Sequence, residues 1–579
     1  MTLFIANFWR YDIVAGLALL AAVFTGLVPA EHAFDGFGHP AVITVCAVLV
    51  LSRALQESGC IDILVRLLDR ARSNLTLQIL ANGGITAGFS GLMNNIGALA
   101  LMLPVAIRDA QKAGRSASLI LIPLSFASLL GGLVTLIGTP PNIIIATFRA
   151  DALGEPFAML DFTPVGLPVA VAGILYLGFF GWRLLPRREL QSSLDGESGQ
   201  IYNYIAEAKI LEGSELAGKT IGELEAMFDR EVTVMSIIKK DKQYLAPDIN
   251  TILNVDDILI LEGDPAALEP LYSSPEMKLK IGAVEIDLHT LQSNDVVLME
   301  AIVMPNSSIE GWSMRGLRMH ERYDVNLLAM SRMGSAPIAR LKNVRFRAGD
   351  VLLLQGSKDR ISETLNTLGC LAISTRPLTS KKLRKRFLLL TPAVFGGAIV
   401  ASSVGLLPIQ ISFSAAVLIL IISRAISLQQ AYDSLEMPII VLLGCLIPVG
   451  HTLQTSGATE LIATNISNFA QGQSLWIILA LIMIASMLLS DLVHNTPTAV
   501  LMAPIALEIS QQLGFSADAF LMAVAIGSAS PYLTPIGHPS NTLVMGPGGY
   551  DFKDYWRVGL PLDFIILAVS IPLIIMVWG

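Results

Sequence analysis

The sequence predicts a polytopic α-helical membrane protein: an inverted repeat with two re-entrant hairpins and broken helices, wrapped around a soluble α+β insert. Three observations carry this. Long apolar runs recur at both ends of the chain, while its middle is polar and strand-like. Two of the apolar runs contain nearly the same helix-breaking phrase, Thr-Leu-Ile-Gly-Thr-Pro-Pro-Asn at 135–142 and Thr-Pro-Ile-Gly-His-Pro-Ser-Asn at 534–541. Of the 579 residues 53% are hydrophobic and only 15% charged, with a mean hydropathy of +0.62; a soluble chain carries roughly 25% charged residues.

Apolar runs fall at 13–28, 41–51, 119–137, 165–180, 387–404, 413–422, 439–449, 475–489 and 560–577. Crossing a bilayer takes about 20 mostly apolar residues, and several runs reach that length once their flanks are included. Residues 1–10 lack the charged start, apolar core and small-residue cleavage site of a signal peptide. The net charge of −8 assigns no partner by itself, and no nucleic-acid partner is expected. Cys46, Cys60, Cys370 and Cys445 form no metal or disulfide spacing and read as packing residues. No nucleophile–base pair or metal motif stands out, so an enzyme is not expected.

The first membrane repeat spans 1–185 and the second 386–579. Pro40, Leu55-Gln56 and Ser58-Gly59 recur as Pro438, Leu453-Gln454 and Ser456-Gly457, shifted by 398. Ser90, Asn95, Leu101-Met102 and Pro104 recur as Ser490, Asn495, Leu501-Met502 and Pro504, shifted by 400. Segments 75–111 and 474–512 are apolar but polar at their centres, and they read as hairpins that enter and leave on one side. Crossings at 40–58, 119–148, 163–182, 387–404 and 411–424 then separate the start of one copy from that of the next. An odd number inverts the second copy, as in many secondary transporters. The positive-inside rule agrees. Arg66, Arg70, Arg72, Lys112, Arg115, Arg187, Arg188 and the run at 381–386 fall in connections assigned to the cytoplasm; the external ones hold Arg149 alone. The N-terminus and the insert are therefore expected in the cytoplasm and the C-terminus outside, in a multi-pass protein of the cell (inner) membrane.

The insert contains a repeat of its own. Ser-Glu-Leu-Ala-Gly at 214–218 matches Ser-Ser-Ile-Glu-Gly at 307–311, and Asp-Ile-Leu-Ile-Leu-Glu-Gly at 257–263 matches Asp-Val-Leu-Leu-Leu-Gln-Gly at 350–356, both shifted by 93. Each copy reads as a strand, a turn, a short helix at 221–228 or 314–322, and further strands. The copies, at 202–268 and 295–361, resemble the TrkA-C (RCK C-terminal) domain in their Ser-x-Leu-x-Gly-Lys turn and in the acidic residue before the last long strand. The second copy departs at Ile309 and Trp312. The resemblance implies a pair of cytoplasmic domains that either regulate, holding an unidentified small ligand, or act as a purely structural dimer clamp. The nucleotide-binding Gly-x-Gly-x-x-Gly motif is missing, so NAD is not inferred.

The polar phrases carry the chemistry. A helix break at membrane depth survives only inside protein or beside a cavity. Each break frees carbonyls, which suit a desolvated cation, and N–H groups, which suit an anion. Asn95, Asn142, Asn495 and Asn541 offer an oxygen and an amide each; Ser90, Thr139, Ser490, Thr496 and Ser540 add hydroxyls. One such break is an ordinary kink. Four, paired by the repeat, point to a central binding site. Asp491 is a further candidate ligand for a cation or proton, as an intramembrane carboxylate.

The phrases Ser-Gly-Leu-Met-Asn-Asn at 90–95, Gly-Thr-Pro-Pro-Asn at 138–142, Ser-Asp-Leu-Val-His-Asn-Thr at 490–496 and Gly-His-Pro-Ser-Asn at 537–541 resemble the divalent-anion:sodium symporter (DASS) family, especially its members with two TrkA-C domains in the central loop. The resemblance implies a homodimeric symporter that imports a small divalent anion with Na⁺ by an elevator-type mechanism, sulfate favoured over dicarboxylates. It places Na⁺ at Ser90, Asn94, Asn95, Gly138 and Asn142 in one half, and at Ser490, His494, Asn495, Gly537 and Asn541 in the other. Asn94, Asn95, Thr139, Asn495, Thr496 and His538 would contact the substrate. Two positions depart from the Ser-Asn-Thr signature: Ile96 stands for its Thr, and His494 for its Ser. The two imidazoles either bind anion when protonated, make transport pH-dependent, or sit neutral, each bonded to a helix carbonyl. The alternatives are a ligand-gated ion channel, suggested by the TrkA-C resemblance, and a proton-driven anion exchanger using Asp491 and His494.

Overall fold

The computed structural model describes residues 10–58, 74–188, 205–227, 232–239, 242–245, 247–263, 279–282, 296–305, 307–317, 319–323, 325–332, 344–373, 385–455, 457 and 473–579. Residues 1–8, the connection 59–73, most of the basic run at 381–386 and the connection 458–472 lie outside these. The chain divides into two compact units. One comprises Met1–Arg187, Thr379–Asn541 and Asp551–Gly579; the other comprises Arg188–Leu378 and Thr542–Tyr550.

The first copy of the helical unit holds α1 (Tyr11–Phe24), α2 (Pro40–Glu57), α3 (Leu75–Ser90), α4 (Asn95–Lys112), α5 (Leu121–Gly132), α6 (Pro140–Leu153) and α7 (Thr163–Phe179). The local chemistry sets the ends. Asn74 accepts the Thr76 N–H at 2.9 Å and starts α3; Asn94 accepts the Ile96 N–H at 3.2 Å and starts α4. Pro140 and Pro141 open α6, where a missing N–H costs nothing. The apolar run at 119–137 does not continue through to 148. It stops at Gly132, and α6 starts after a seven-residue break.

The second unit is two antiparallel sheets. The first contains β1 (Ile205–Ile210), β2 (Val232–Lys239), β3 (Lys242–Leu245), β4 (Ile258–Gly263) and β5 (Leu279–Gly282), with α8 (Ile221–Met227), in the order β3-β2-β4-β1-β5. The second contains β6 (Val296–Val303), β7 (Val325–Ser331), β8 (Val351–Ser357) and β9 (Cys370–Ala372), in the order β7-β8-β6-β9, with α9 (Met314–Leu317), α10 (Met319–Tyr323) and α11 (Lys358–Leu368). The shift of 93 holds down to single partners. Ala208 faces Leu259 as Ala301 faces Leu352, and Val234 faces Leu261 as Leu327 faces Leu354. Each copy has its bulge in the same place, between Val234 and Ser236 and between Leu327 and Ala329. Ile309 departs from the Leu of the turn without consequence, because it fills the same buried position as Leu216. Trp312, the other departure, is exposed. The sequence reading ended these copies at 268 and 361. The sheets run further, since β5 pairs with β1 and β9 with β6. The helix expected over 314–322 is two short pieces rather than one.

The second helical copy follows with α12 (Lys385–Ser403), α13 (Ile409–Ile422), α14 (Leu428–Asp433), α15 (Met437–Thr455), α16 (Leu475–Val493), α17 (Asn495–Leu513), α18 (Ala517–Ser528), α19 (Pro539–Gly548) and α20 (Phe552–Trp578). Within the helical unit α1 packs on α15, and α13 on both α2 and α12; α5 lies among α3, α4 and α7, and α18 among α16, α17, α20 and α6. Every residue of α5 is buried, as is α18 from Ala519 onwards. These two are apolar all round and form the centre of the unit. Among the described residues three helical segments are long and apolar enough to cross a membrane alone: Ala30–Glu57, Leu475–Val493 and Phe552–Trp578. Other apolar helices are shorter, and two of them, Ala117–Gly132 and Ala517–Ser528, end at the helix breaks.

In the second sheet Asp350 is almost wholly buried. Its carboxylate takes two bonds from the Arg332 guanidinium, at 2.8 and 2.7 Å, and one from the Arg347 N–H at 2.8 Å. Hydrogen bonding to Asp350 raises the Arg332 guanidinium above its ordinary value. The equivalent Asp257 receives the Asn254 N–H at 2.8 Å and only a longer ion pair, 3.3 Å, from Lys239. Asp350→Ala, which strands a guanidinium, should therefore cost about 3 kcal/mol and speed amide exchange across β6–β8. Asp257→Ala should affect β1–β4 less. Hydrogen-exchange mass spectrometry on the intact protein reads both.

Candidate functional site

The site is built where helices stop. After α5 ends at Gly132, the chain turns through 133–139 before α6. Its freed carbonyls are met by Asn142 from the first turn of α6, whose Nδ2 donates to Thr135 O at 2.8 Å and Gly132 O at 3.2 Å. Thr135 Oγ1 donates to Gly91 O at 2.5 Å, which ties the break to the turn between α3 and α4. On that turn Ser90 Oγ donates to Ser128 O at 2.6 Å. The Asn95 side-chain amide meets only acceptors: the carbonyls of Gly138 and Ser128, each at 3.1 Å, and Ser90 Oγ at 2.6 Å. Its NH₂ therefore points at all three. Gly132 lies so close to this amide that a Cβ there would collide with it. Thr139 Oγ1 and Asn142 Oδ1 are buried without a hydrogen-bond partner.

The second copy repeats the wiring. Asn541 Nδ2 donates to Pro531 O at 2.8 Å and Thr534 O at 3.1 Å. Thr534 Oγ1 donates to Asp491 O at 2.8 Å, and Ser490 Oγ to Ser528 O at 2.6 Å. Gly537 packs against Ser490 O and the Asp491 Cα, where a Cβ would come within 3.0 and 3.1 Å. Asn495 Oδ1 accepts from the Thr496 N–H at 2.8 Å and from Thr496 Oγ1 at 3.2 Å. His538 Nδ1 accepts the Ser540 N–H at 3.0 Å. Its proton thus lies on Nε2, the one donor it can offer. The bond is to a helix N–H and not to the helix carbonyl expected of a neutral imidazole. His494 alone links α16 to α17, with φ +111° and ψ 149°, a region occupied almost only by glycine.

The predicted residues thus gather in two clusters: Ser90, Asn95, Gly138 and Asn142 in one, with Thr139 beside them, and Ser490, Gly537 and Asn541 in the other, with Asn495, Thr496 and His538 on the adjoining helix ends. One turn of α5 joins them. Its Ser128 carbonyl serves the first cluster, while its Ser125 hydroxyl donates to Asn541 Oδ1 at 2.8 Å in the second. Asn94 reaches out of the first cluster; His494 touches the second, through a side-chain hydrogen bond with Asn495 and its nearness to His538, and reaches beyond it as well. Asn94 Nδ2 donates to Glu436 Oε1 at 2.8 Å. The His494 ring packs at 5.7 Å from that of Tyr11. Sequence reasoning missed Ser125, Ser128 and Ser528. Two of these act through carbonyls, which no side-chain motif advertises. It also missed Glu436, whose nearness to Asn94 is purely tertiary.

Broken apolar helices whose polar ends gather in buried clusters are the architecture of membrane transport proteins. The chain belongs to the citrate transporter (CitMHS) family, whose match covers residues 1–517 and 470–579. It is 30% identical to the uncharacterized transporter sll0640 of Synechocystis over 100% of this chain and 95% of that one. It is 25% identical to a putative sulfur deprivation response regulator of Chlamydomonas reinhardtii over 98% of both. Sodium/sulfate cotransporter 2 of the same alga is 25% identical over 58% of this chain and 40% of its own length. The protein is thus a membrane protein of a transporter family, with sodium/sulfate cotransporters among its distant relatives.

Two stability outcomes follow. Asn541→Ala strands two carbonyls and the Ser125 hydroxyl; Asn142→Ala strands two carbonyls only. The first should lower the thermal midpoint in detergent more than the second, each by an amount equivalent to about 1–3 kcal/mol. His494→Gly should melt higher than His494→Ala, by about 1–3 kcal/mol, because only glycine relieves the backbone strain.

Proposed function

We propose that the protein is a sodium-coupled secondary transporter that imports a small divalent anion, sulfate favoured over dicarboxylates. One observation carries this: Ser90 Oγ, Ser128 O and Gly138 O converge on the Asn95 amide, and the second copy repeats the Ser490–Ser528 arm of the arrangement. These are hard, neutral oxygens of the kind that hold Na⁺. In this reading the Asn95 NH₂ fills the cluster until a cation enters, and the amide then turns to present Oδ1. Thr139 Oγ1 and Asn142 Oδ1, buried and unpartnered, add acceptors nearby. Around the second break Ser490, Gly537, Asn541 and Asn495 serve the other cation.

The anion takes the remaining donors: Asn95, Asn495, Thr496, Thr139 and His538 Nε2–H. The clusters hold no Lys or Arg, so Na⁺ supplies the positive charge and a dianion binds only after it. Asn94 and His494 act at the margins of the clusters through Glu436 and Tyr11. The two helix pairs α3–α4 and α16–α17 serve as re-entrant hairpins in an inverted repeat, and the transport motion is elevator-like within a homodimer. The N-terminus and the sheets lie in the cytoplasm, the C-terminus lies outside, and the sheets regulate transport as TrkA-C domains with their own small ligand. Sulfate is favoured by the named function of sodium/sulfate cotransporter 2.

The test is uptake of radiolabelled sulfate, succinate and citrate into proteoliposomes, with and without an inward Na⁺ gradient. Sulfate uptake should require the gradient. Asn95→Ala and Asn495→Ala should each abolish it while the protein still inserts and folds. Normal uptake by both variants would remove the site, and flux that follows pH and ignores Na⁺ would remove the coupling ion.

A further inference from the structure

Three buried oxygens beside the second break have no part in the reading above. Asp491, on the last turn of α16, is 4% exposed. Its Oδ1 accepts the N–H groups of Leu533 and Thr534 at 3.0 and 3.2 Å, and its Oδ2 has no hydrogen-bond partner. Asp563, near the middle of α20, is 7% exposed, and its Oδ1 is likewise unpartnered. Tyr532 is wholly buried; Ser530 lies within hydrogen-bonding reach of its hydroxyl and gives its own hydrogen to Ile526 O.

Packing brings the three together. Tyr532 directly precedes the two residues that Asp491 holds. Gly559, one turn before Asp563 on α20, lies against the Tyr532 carbonyl so closely that no Cβ would fit. Residues four apart share a helix face, so Asp563 follows Gly559 onto the same neighbour. The carboxylate of Asp563 lies within electrostatic reach of Asp491, and Tyr532 within reach of both. Among the described residues no Lys or Arg pairs with either carboxylate. A buried carboxylate without a counter-charge is costly, and a second one close by adds repulsion.

The geometry points to a binding site for a small monovalent cation, Na⁺, between Asp491 Oδ2 and Asp563 Oδ1, capped by the Tyr532 hydroxyl. It differs in kind from the two clusters at the helix breaks, whose ligands are neutral. An ion here, together with the two N–H groups on Asp491, offsets the paired negative charge. It also fastens α20 to residues 532–534, the strand of chain that shapes the second break. Cation binding at this point therefore organises the neighbouring cluster. The inference rests on the Na⁺-coupled reading and adds a carboxylate site to it.

The experiment compares wild type, Asp563→Asn and Tyr532→Phe. Thermal midpoints of the full chain in detergent are measured against NaCl, with choline chloride holding the ionic strength. Ligand binding to the native state raises the midpoint. Wild type should therefore shift upward with Na⁺, and both variants should lose part of that shift. In proteoliposomes Asp563→Asn should need more Na⁺ for half-maximal uptake, with a Hill coefficient lower by about one. Should Asp563→Asn not fold, Tyr532→Phe, which deletes one hydroxyl, still reads the site. Variants with the wild-type Na⁺ response would overturn the inference alone. So would an Asp563→Asn variant changed only in its pH dependence, which would mean a shared proton. A wild type indifferent to Na⁺ in both assays would remove the coupled reading as well.

Discussion

The helical unit depends on two asparagine amides reaching backwards. A helix that stops at depth leaves carbonyls with no intrahelical partner, and hydrocarbon offers none. Asn142 and Asn541 sit in the first turn of the helix that follows each break and return their NH₂ groups to the carbonyls left behind, Gly132 and Thr135 in one copy, Pro531 and Thr534 in the other. The prolines at the starts of those helices remove donors that would otherwise need partners. With both problems met locally, the loops hold their other polar atoms at fixed places, and a cluster such as Ser90, Ser128 and Gly138 around Asn95 becomes affordable.

Once the breaks are braced, the two copies need a common wall. It comes from α5 and α18, the helices that are buried on every side. Each lends a carbonyl to a serine in the last turn of the facing helix: Ser128, one turn before the end of α5, to Ser90, and Ser528, the last residue of α18, to Ser490. The symmetry is broken at Ser125. Its hydroxyl crosses to Asn541, while the position shifted by 400 is Ala525 and leaves Asn142 Oδ1 unpartnered. Asn541 is therefore more fully satisfied by the protein than Asn142, whose Oδ1 stays free.

Much of this was legible in the sequence, because duplication prints the same constraint twice. The phrase ending at Asn142 and Asn541 announces a break together with its brace. The shift of 93 in the insert fixes register and bulge, since strand pairing and the buried positions 216 and 309 copy faithfully. Backbone carbonyls were not legible, as Ser128 shows: its contribution has no side-chain signature. Nor were contacts between distant segments, such as Glu436 on Asn94. Asp563 was open to notice as a charge in an apolar run, but its partner Asp491 lies 72 residues away, and only the closeness of Gly559 to Tyr532 joins them. The insert's outer strands β5 and β9 were missed because short edge strands carry little alternation.

Asn94 and His494 share a physical reading. They are equivalent positions under the shift of 400; His494 is the departure that stands for the signature's Ser, while Ile96, which stands for its Thr, is a separate one. Each side chain also reaches outside its own copy. Asn94 extends to Glu436, just before α15, and His494 to Tyr11, at the start of α1. A serine at either place would be too short for such a reach. Larger side chains here add a contact between the helix turn and a separate part of the bundle. The turn of each pair, α3–α4 and α16–α17, is thereby held from outside its own copy by a hydrogen bond in one case and by ring packing in the other. At His494 the hold coincides with a backbone that only glycine adopts freely. Strain and tether meet at one residue, so the α16–α17 turn is fixed both by its backbone and by its packing on α1.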